Sequence, residues 1–130
     1  MREARALIAQ QRWAQAEQIL VNHVRQEPQD ADAHNLLGFS LRNLGRLQAS
    51  LVAYRRALEL DPDHLGAHEY IGEAYVQLGD LVRARTHLAA LERLCPTGCP
   101  ELEDLQASLQ AAGARTSSAG QAASAPSRPR

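Results

Sequence analysis

Residues 31–64 read ADAHNLLGFSLRNLGRLQASLVAYRRALELDPDH, and residues 65–98 read LGAHEYIGEAYVQLGDLVRARTHLAALERLCPTG. Laid over one another at an offset of 34, the two stretches agree at regularly spaced positions. His34, Leu37, Gly38 and Leu41 meet His68, Ile71, Gly72 and Tyr75. Leu44-Gly45 meets Leu78-Gly79, Leu47 meets Leu81, and Leu60 meets Leu94. Pro28, Pro62 and Pro96 keep the same step. A fixed period of this length marks stacked helix-turn-helix units. No such unit buries its apolar face alone, so the core forms between neighbours and an extended surface is left for a partner.

Within a unit, apolar residues recur at spacings of three and four, as in Leu37, Leu41, Leu44 and then Leu51, Tyr54, Leu58. That is the stripe of a helix. Gly38 and Gly72 lack a Cβ and are expected where two helices come close. Gly45 and Gly79 fall between the helices, where a positive φ ends the first one cheaply. Asp61-Pro62 and Cys95-Pro96 stop the second helices, because the residue before proline avoids helical angles. One period earlier, Leu7, Trp13, Ala16, Leu20 and Pro28 form a partial unit. Its fourth position would precede Met1, so the chain is expected to begin inside a repeat whose upstream sequence, such as a leader, was removed. From Pro100 to about Ala112, an acidic first turn and the stripe Leu102, Leu105, Leu109, Ala112 predict a capping helix. Residues 113–130 lack large apolar side chains and are expected to be a disordered tail.

The pattern His34-x2-Leu37-Gly38-x2-Leu41, then Ser50-x3-Tyr54, then Pro62 resembles the tetratricopeptide repeat, with His where that repeat usually has Trp. The expected fold is an all-α array of one partial and two full repeats, at about 1–30, 31–64 and 65–98. A capping helix at 100–112 completes a domain spanning 1–112. The resemblance implies a concave groove lined by Asp32, Asn35, Phe39, Arg42 and Asn43 in one unit and by Glu69, Glu73, Val76 and Gln77 in the next. Phe39, the one Phe of the chain, is expected either to anchor a partner or to pack on the second helix of the first repeat. Arg42 is expected to orient a partner's acid. Glu69 and Glu73 read as a solvated acidic pair that would favour a basic segment. The Lys and Asn set by which some tetratricopeptide domains hold chaperone tails is absent, since the chain has no Lys. The implied function is non-catalytic protein or peptide binding, as a scaffold or adaptor.

Charge sets further bounds. The 15 acidic residues all precede Gly113, and three of the 14 basic residues (Arg115, Arg128, Arg130) follow it. The body therefore carries 11 − 15 = −4, which gives no electrostatic case for nucleic acid. No apolar run reaches the length of a membrane span, and no cofactor motif is present. The five His include no metal-binding motif, and Ser40 and Ser50 stand at small-residue packing positions. Cys95 and Cys99 bracket Pro-Thr-Gly, which leaves a disulfide, two free thiols, or a thiol redox or metal role. The stretch from Gly66-Ala67-His68-Glu69-Tyr70 through Cys95 and Cys99 to Asp104-Leu105 resembles small exported proteobacterial tetratricopeptide proteins. Such proteins carry leaders and end in a two-Cys turn and a helix. That resemblance implies a periplasmic location; without a leader the location is cytoplasmic. Self-association through an apolar edge around Trp13 is the alternative to partner binding.

Overall fold

Asp30, His64 and Asp80 each stand one residue before a helix and accept a hydrogen bond from a backbone N–H of its first turn, at 3.2, 3.0 and 3.1 Å. Such caps fix where helices begin. At the other ends, Gly45 and Gly79 both take φ of +81°, and Pro62 and Pro96 follow the last residues of the second helices. The outcome, in a computed structural model that describes residues 1–124, is seven helices in chain order. They are α1 Arg2–Ala9, α2 Trp13–Gln26, α3 Ala31–Asn43, α4 Leu47–Leu60, α5 Leu65–Leu78, α6 Leu81–Leu94 and α7 Pro100–Ser124. No strand occurs among the described residues.

The helices pair as hairpins, α1 with α2, α3 with α4 and α5 with α6, and each hairpin stacks on the next. Gly38 lies against the buried ring of Tyr54, and a Cβ there would come within 2.6 Å of it. Gly72 lies against Leu105 of α7 at the same close range. Tyr54, Leu20, Ile71, Leu91 and Leu105 are the large side chains sealed inside. Ser40 and Ser50 are fully buried as well, in keeping with their reading as packing residues. α3 packs directly on α5, and α5 on α7, whereas α4 and α6 make no comparable contact. First helices that lie closer together than second helices form the inner, concave side of the array.

The histidines at the fourth repeat position do more than fill the Trp slot. His34 Nε2 donates to the carbonyl of Pro28 at 3.0 Å, and His68 Nε2 to that of Pro62 at 2.7 Å. Each ties the start of one hairpin to the end of the one before. With Nε2 donating, His68 Nδ1 accepts from His87 Nδ1, 3.0 Å away on α6. Burial first, and then the neighbouring His68, push His87 down to about 4.

α7 covers the last hairpin as a cap, but it is longer than the sequence reading placed it. It runs through Gly113 to Ser124, so part of the segment expected to be a disordered tail is helical. Ala is the commonest residue of that stretch and no proline interrupts it before Pro126, so no residue there breaks the helix outright. The rest of the expected tail, 125–130, lies outside the described residues. Cys95 ends α6 and Cys99 precedes α7; the two form a disulfide with Cα atoms 5.9 Å apart. Of the three readings left open by the sequence, the structure takes the first.

Candidate functional site

Three successive turns of α3 face three successive turns of α5, each pair 31 residues apart. Asn35 lies over Gly66, Phe39 over Tyr70, and Arg42 over Glu73. This register equals the repeat period less three, so a position on one first helix meets the position three earlier on the next. The seam between α3 and α5 therefore gathers several of the residues expected to line the groove.

At its centre the Phe39 and Tyr70 rings are 4.6 Å apart, tilted by 33°. Trp13, at the start of α2, meets Phe39 edge-on at 5.6 Å. Phe39 is thus half-buried in an aromatic row that crosses all three hairpins; of its two expected places, packing on the second helix of the first repeat is the one observed. Trp13 is half-buried for the same reason, so the exposed apolar edge expected around it is partly covered.

Arg42 does not wait for an outside acid. Its guanidinium lies 5.4 Å from the Phe39 ring centre and 5.9 Å from that of Tyr70. Nη1 donates to Glu73 Oε1 at 3.3 Å and to the Tyr70 carbonyl at 3.5 Å. The pair is largely shielded, with side chains 14% and 17% exposed. The expected partner carboxylate is supplied from within, and the pair ties the second hairpin to the third.

Glu69 overturns the reading of a solvated acidic face. It is buried, at 9% exposure. Burial raises its carboxyl most, followed by its hydrogen bond with Glu73 and by the charges of Glu73, Asp104 and Glu101; together they push it up to about 9. At neutral pH Glu69 keeps its proton. The same surroundings, burial foremost, raise the Tyr70 phenol. Asn35 is also buried rather than groove-exposed, and its Oδ1 meets no donor. Asn43 is exposed and donates to the Phe39 carbonyl of its own helix at 2.9 Å. Val76 is half-buried and packs against the core cluster of Leu91, Leu102 and Leu105. Gln77 is exposed. Asp32 is exposed and accepts from His64 Nε2 at 2.6 Å.

A hollow of about 580 Å³ lies elsewhere, along α3 and α4, lined by Leu37, Leu41, Ala49, Val52 and Ala53. His34, Arg55, Arg56 and Glu59 line it too, and each is already engaged: His34 with the Pro28 carbonyl, Arg56 with Glu59, and Arg55 with the Tyr75 hydroxyl. With its polar side chains so engaged, the α3–α5 seam, which gathers the expected groove residues, is taken as the candidate site. Among the described residues no three His, Cys, Asp or Glu gather in a way that could hold a metal ion. No helix among them is long and apolar enough to cross a membrane.

Tyr70 and the Trp13 contact were missed in the sequence because groove positions were read within each repeat. Opposite charges and paired aromatics 31 residues apart, as at Arg42 and Glu73 or Phe39 and Tyr70, were the available signal.

The family model described as tetratricopeptide repeat matches residues 31–64. That segment is a tetratricopeptide repeat, and the chain is an array of such repeats. Among solved structures, a MamA RS-1 double mutant matches 72% of this chain at 27% identity with a TM-score of 0.69. The chain spans 52% of that MamA structure's length. PcrH, solved in complex with the chaperone binding region of PopD, matches 87% of each chain at 22% identity and a TM-score of 0.75. The TPR2B domain of yeast Sti1, solved with a pHsp70 ligand, matches 83% of this chain and 90% of that domain at 17% identity, also with a TM-score of 0.75. The last two likenesses show the fold alone. No curated protein sequence matches the chain significantly.

Proposed function

We propose that the chain is a non-catalytic scaffold or adaptor that binds a protein or peptide on its concave side, across the α3–α5 seam. The observation that carries this reading is the row Trp13, Phe39 and Tyr70 with Arg42 laid over it. Half-buried aromatics beside a shielded guanidinium are the composition of binding hot spots. The likeness to PcrH and to Sti1 TPR2B, each solved with a bound partner segment, supports it at the level of fold. The paired acids could suggest general acid–base catalysis. Glu73 is engaged with Arg42, however, which favours a structural role for the pair.

On this reading the partner packs on the Phe39–Tyr70 pair, and Arg42 with Glu73 sets the angle between hairpins that shapes the groove. The test is affinity capture by the wild type and by a Phe39→Ala, Arg42→Ala, Glu73→Ala variant whose helical circular dichroism is retained. A partner held by the first and lost by the second is the expected result. Partners held equally by both would overturn the reading. We place the chain's work in an oxidising compartment, supported by the Cys95–Cys99 disulfide. Protein isolated without reductant from a periplasmic fraction should show no free thiol, and two free thiols would contradict the placement.

A further inference from the structure

We propose that the hollow along α3 and α4 is a second docking site, and that its occupant is the indole of a tryptophan side chain on a partner segment. The site is independent of the α3–α5 seam and of the partner held there.

The repeat itself shows what the hollow lacks. At the offset of 34, its lining residues His34, Leu37, Leu41 and Ala53 correspond to His68, Ile71, Tyr75 and His87 of the third hairpin. There, two rings take up the space. The His87 ring stacks on Tyr75 with centroids 5.9 Å apart and planes at 16°. The hollow that remains against Ile71, Tyr75 and His87 is about 390 Å³. In the second hairpin Leu41 and Ala53 stand where those rings would be, and about 580 Å³ is open. A space of that size with an apolar lining is in the range of ligand sites.

The second observation is an acceptor without a donor. A carbonyl can only accept, so His34 Nε2 carries the proton that it gives to Pro28, and the neutral ring keeps a lone pair on Nδ1. His68 is wired to Pro62 in the same way, and there His87 brings the N–H to Nδ1. Ala53, in the slot of His87, has no such group, and no other described residue donates to His34 Nδ1. The occupant is thereby defined as a flat apolar ring, larger than an imidazole, with one N–H on its edge. Indole is the side chain of that description. Phenylalanine has no donor, and tyrosine carries its donor beyond the far end of the ring.

The source is a peptide segment, because binding surface continues past the hollow. Val52 on its lip is 64% exposed. Arg55 on its rim is bonded to the uncharged Tyr75 hydroxyl, and no carboxylate among the described residues pairs with it. Residues flanking the tryptophan can therefore add an apolar contact at Val52 and a carbonyl or acid at Arg55.

The test pans the folded chain against N-acetylated, C-amidated nonapeptides with random flanks and Trp, Tyr, Phe, His or Leu fixed at the centre. Enrichment of the Trp set is expected. In an amide chemical-shift titration with the best Trp peptide, His34, Leu41, Val52 and Ala53 should shift while Phe39 and Tyr70 stay still. Replacing its Trp by 1-methyltryptophan, which removes the N–H, should weaken binding by about tenfold, the loss of one hydrogen bond to an acceptor left unmet. Ala53→His, which copies the third hairpin and is checked by circular dichroism, should lose the peptide. Phe39→Ala should hold it as the wild type does. The proposal is overturned if Trp is not enriched over the other four, if the methylated peptide or the Ala53→His variant binds with unchanged affinity, or if N-acetyltryptophanamide binds as tightly as the peptide. Shifts at Phe39 and Tyr70 with Val52 and Ala53 unmoved would overturn it as well, and would leave the seam as the site.

Discussion

At the scale of single residues, Glu69 and His87 give the stability of this protein two opposing slopes in pH. The folded state holds the Glu69 proton up to about 9, well above the 4.5 of a free glutamate. It therefore binds more protons than the unfolded chain between those values, and stability falls as pH rises through the window. Glu69→Gln should raise the melting temperature at pH 8 more than at pH 5. An equal shift at both would contradict the buried proton on Glu69. His87 works in the other direction. Its folded value near 4 lies below the ordinary 6.5, so the unfolded chain takes up the extra proton and stability is lost as pH falls from 6.5 toward 4. Melts of His87→Gln across that range should show a flatter acid limb than the wild type. Gly38 acts through space alone. An alanine at Gly38 would drive Cβ to 2.6 Å from the Tyr54 ring, so Gly38→Ala should destabilise by about 1–3 kcal/mol in denaturant titrations.

At the scale of elements, α7 is held by packing more than by its covalent tie. Leu105 is fully buried over Gly72, flanked by Leu102 and Leu91. Leu105→Ala should cost about 2–5 kcal/mol in chemical unfolding. Reduction of Cys95–Cys99, which closes a loop of a few residues, should cost about 2 kcal/mol or less. A larger loss on reduction than on Leu105→Ala would reverse this ranking. The elements themselves were legible in the sequence, and for local reasons. Positive φ at Gly45 and Gly79, close approach at Gly38 and Gly72, and a proline at each second-helix end are constraints that single residues announce. The stop of α7 was misplaced because an Ala-rich stretch without a proline looks the same to composition whether it is helical or loose. The site was legible only in part. Phe39, Arg42 and Glu73 were picked out singly, but whom each touches depends on the register between repeats. Arg42 was therefore assigned a partner's acid when Glu73 stood 31 residues away. The proton on Glu69 depends on burial and on the α7 acids, neither of which is written in its own repeat.

At the scale of the whole molecule, charge and shape divide the array into two sides. The inner side joins the aromatic row to the acids of α5 and α7. The outer helices carry Arg55, Arg56, Arg83, Arg85 and Arg93, and exposed Val52 and Val82. The central claim is that the scaffold's partner is met on the inner side. The most direct measurement is an amide chemical-shift titration of the isotope-labelled protein with a partner captured on the wild type. The account predicts that Phe39, Arg42, Tyr70 and Glu73, with the first turns of α7, shift most and saturate together, while Val52 and Val82 stay still. Shifts concentrated around Val52 and Val82, with the α3–α5 seam unmoved, would contradict it.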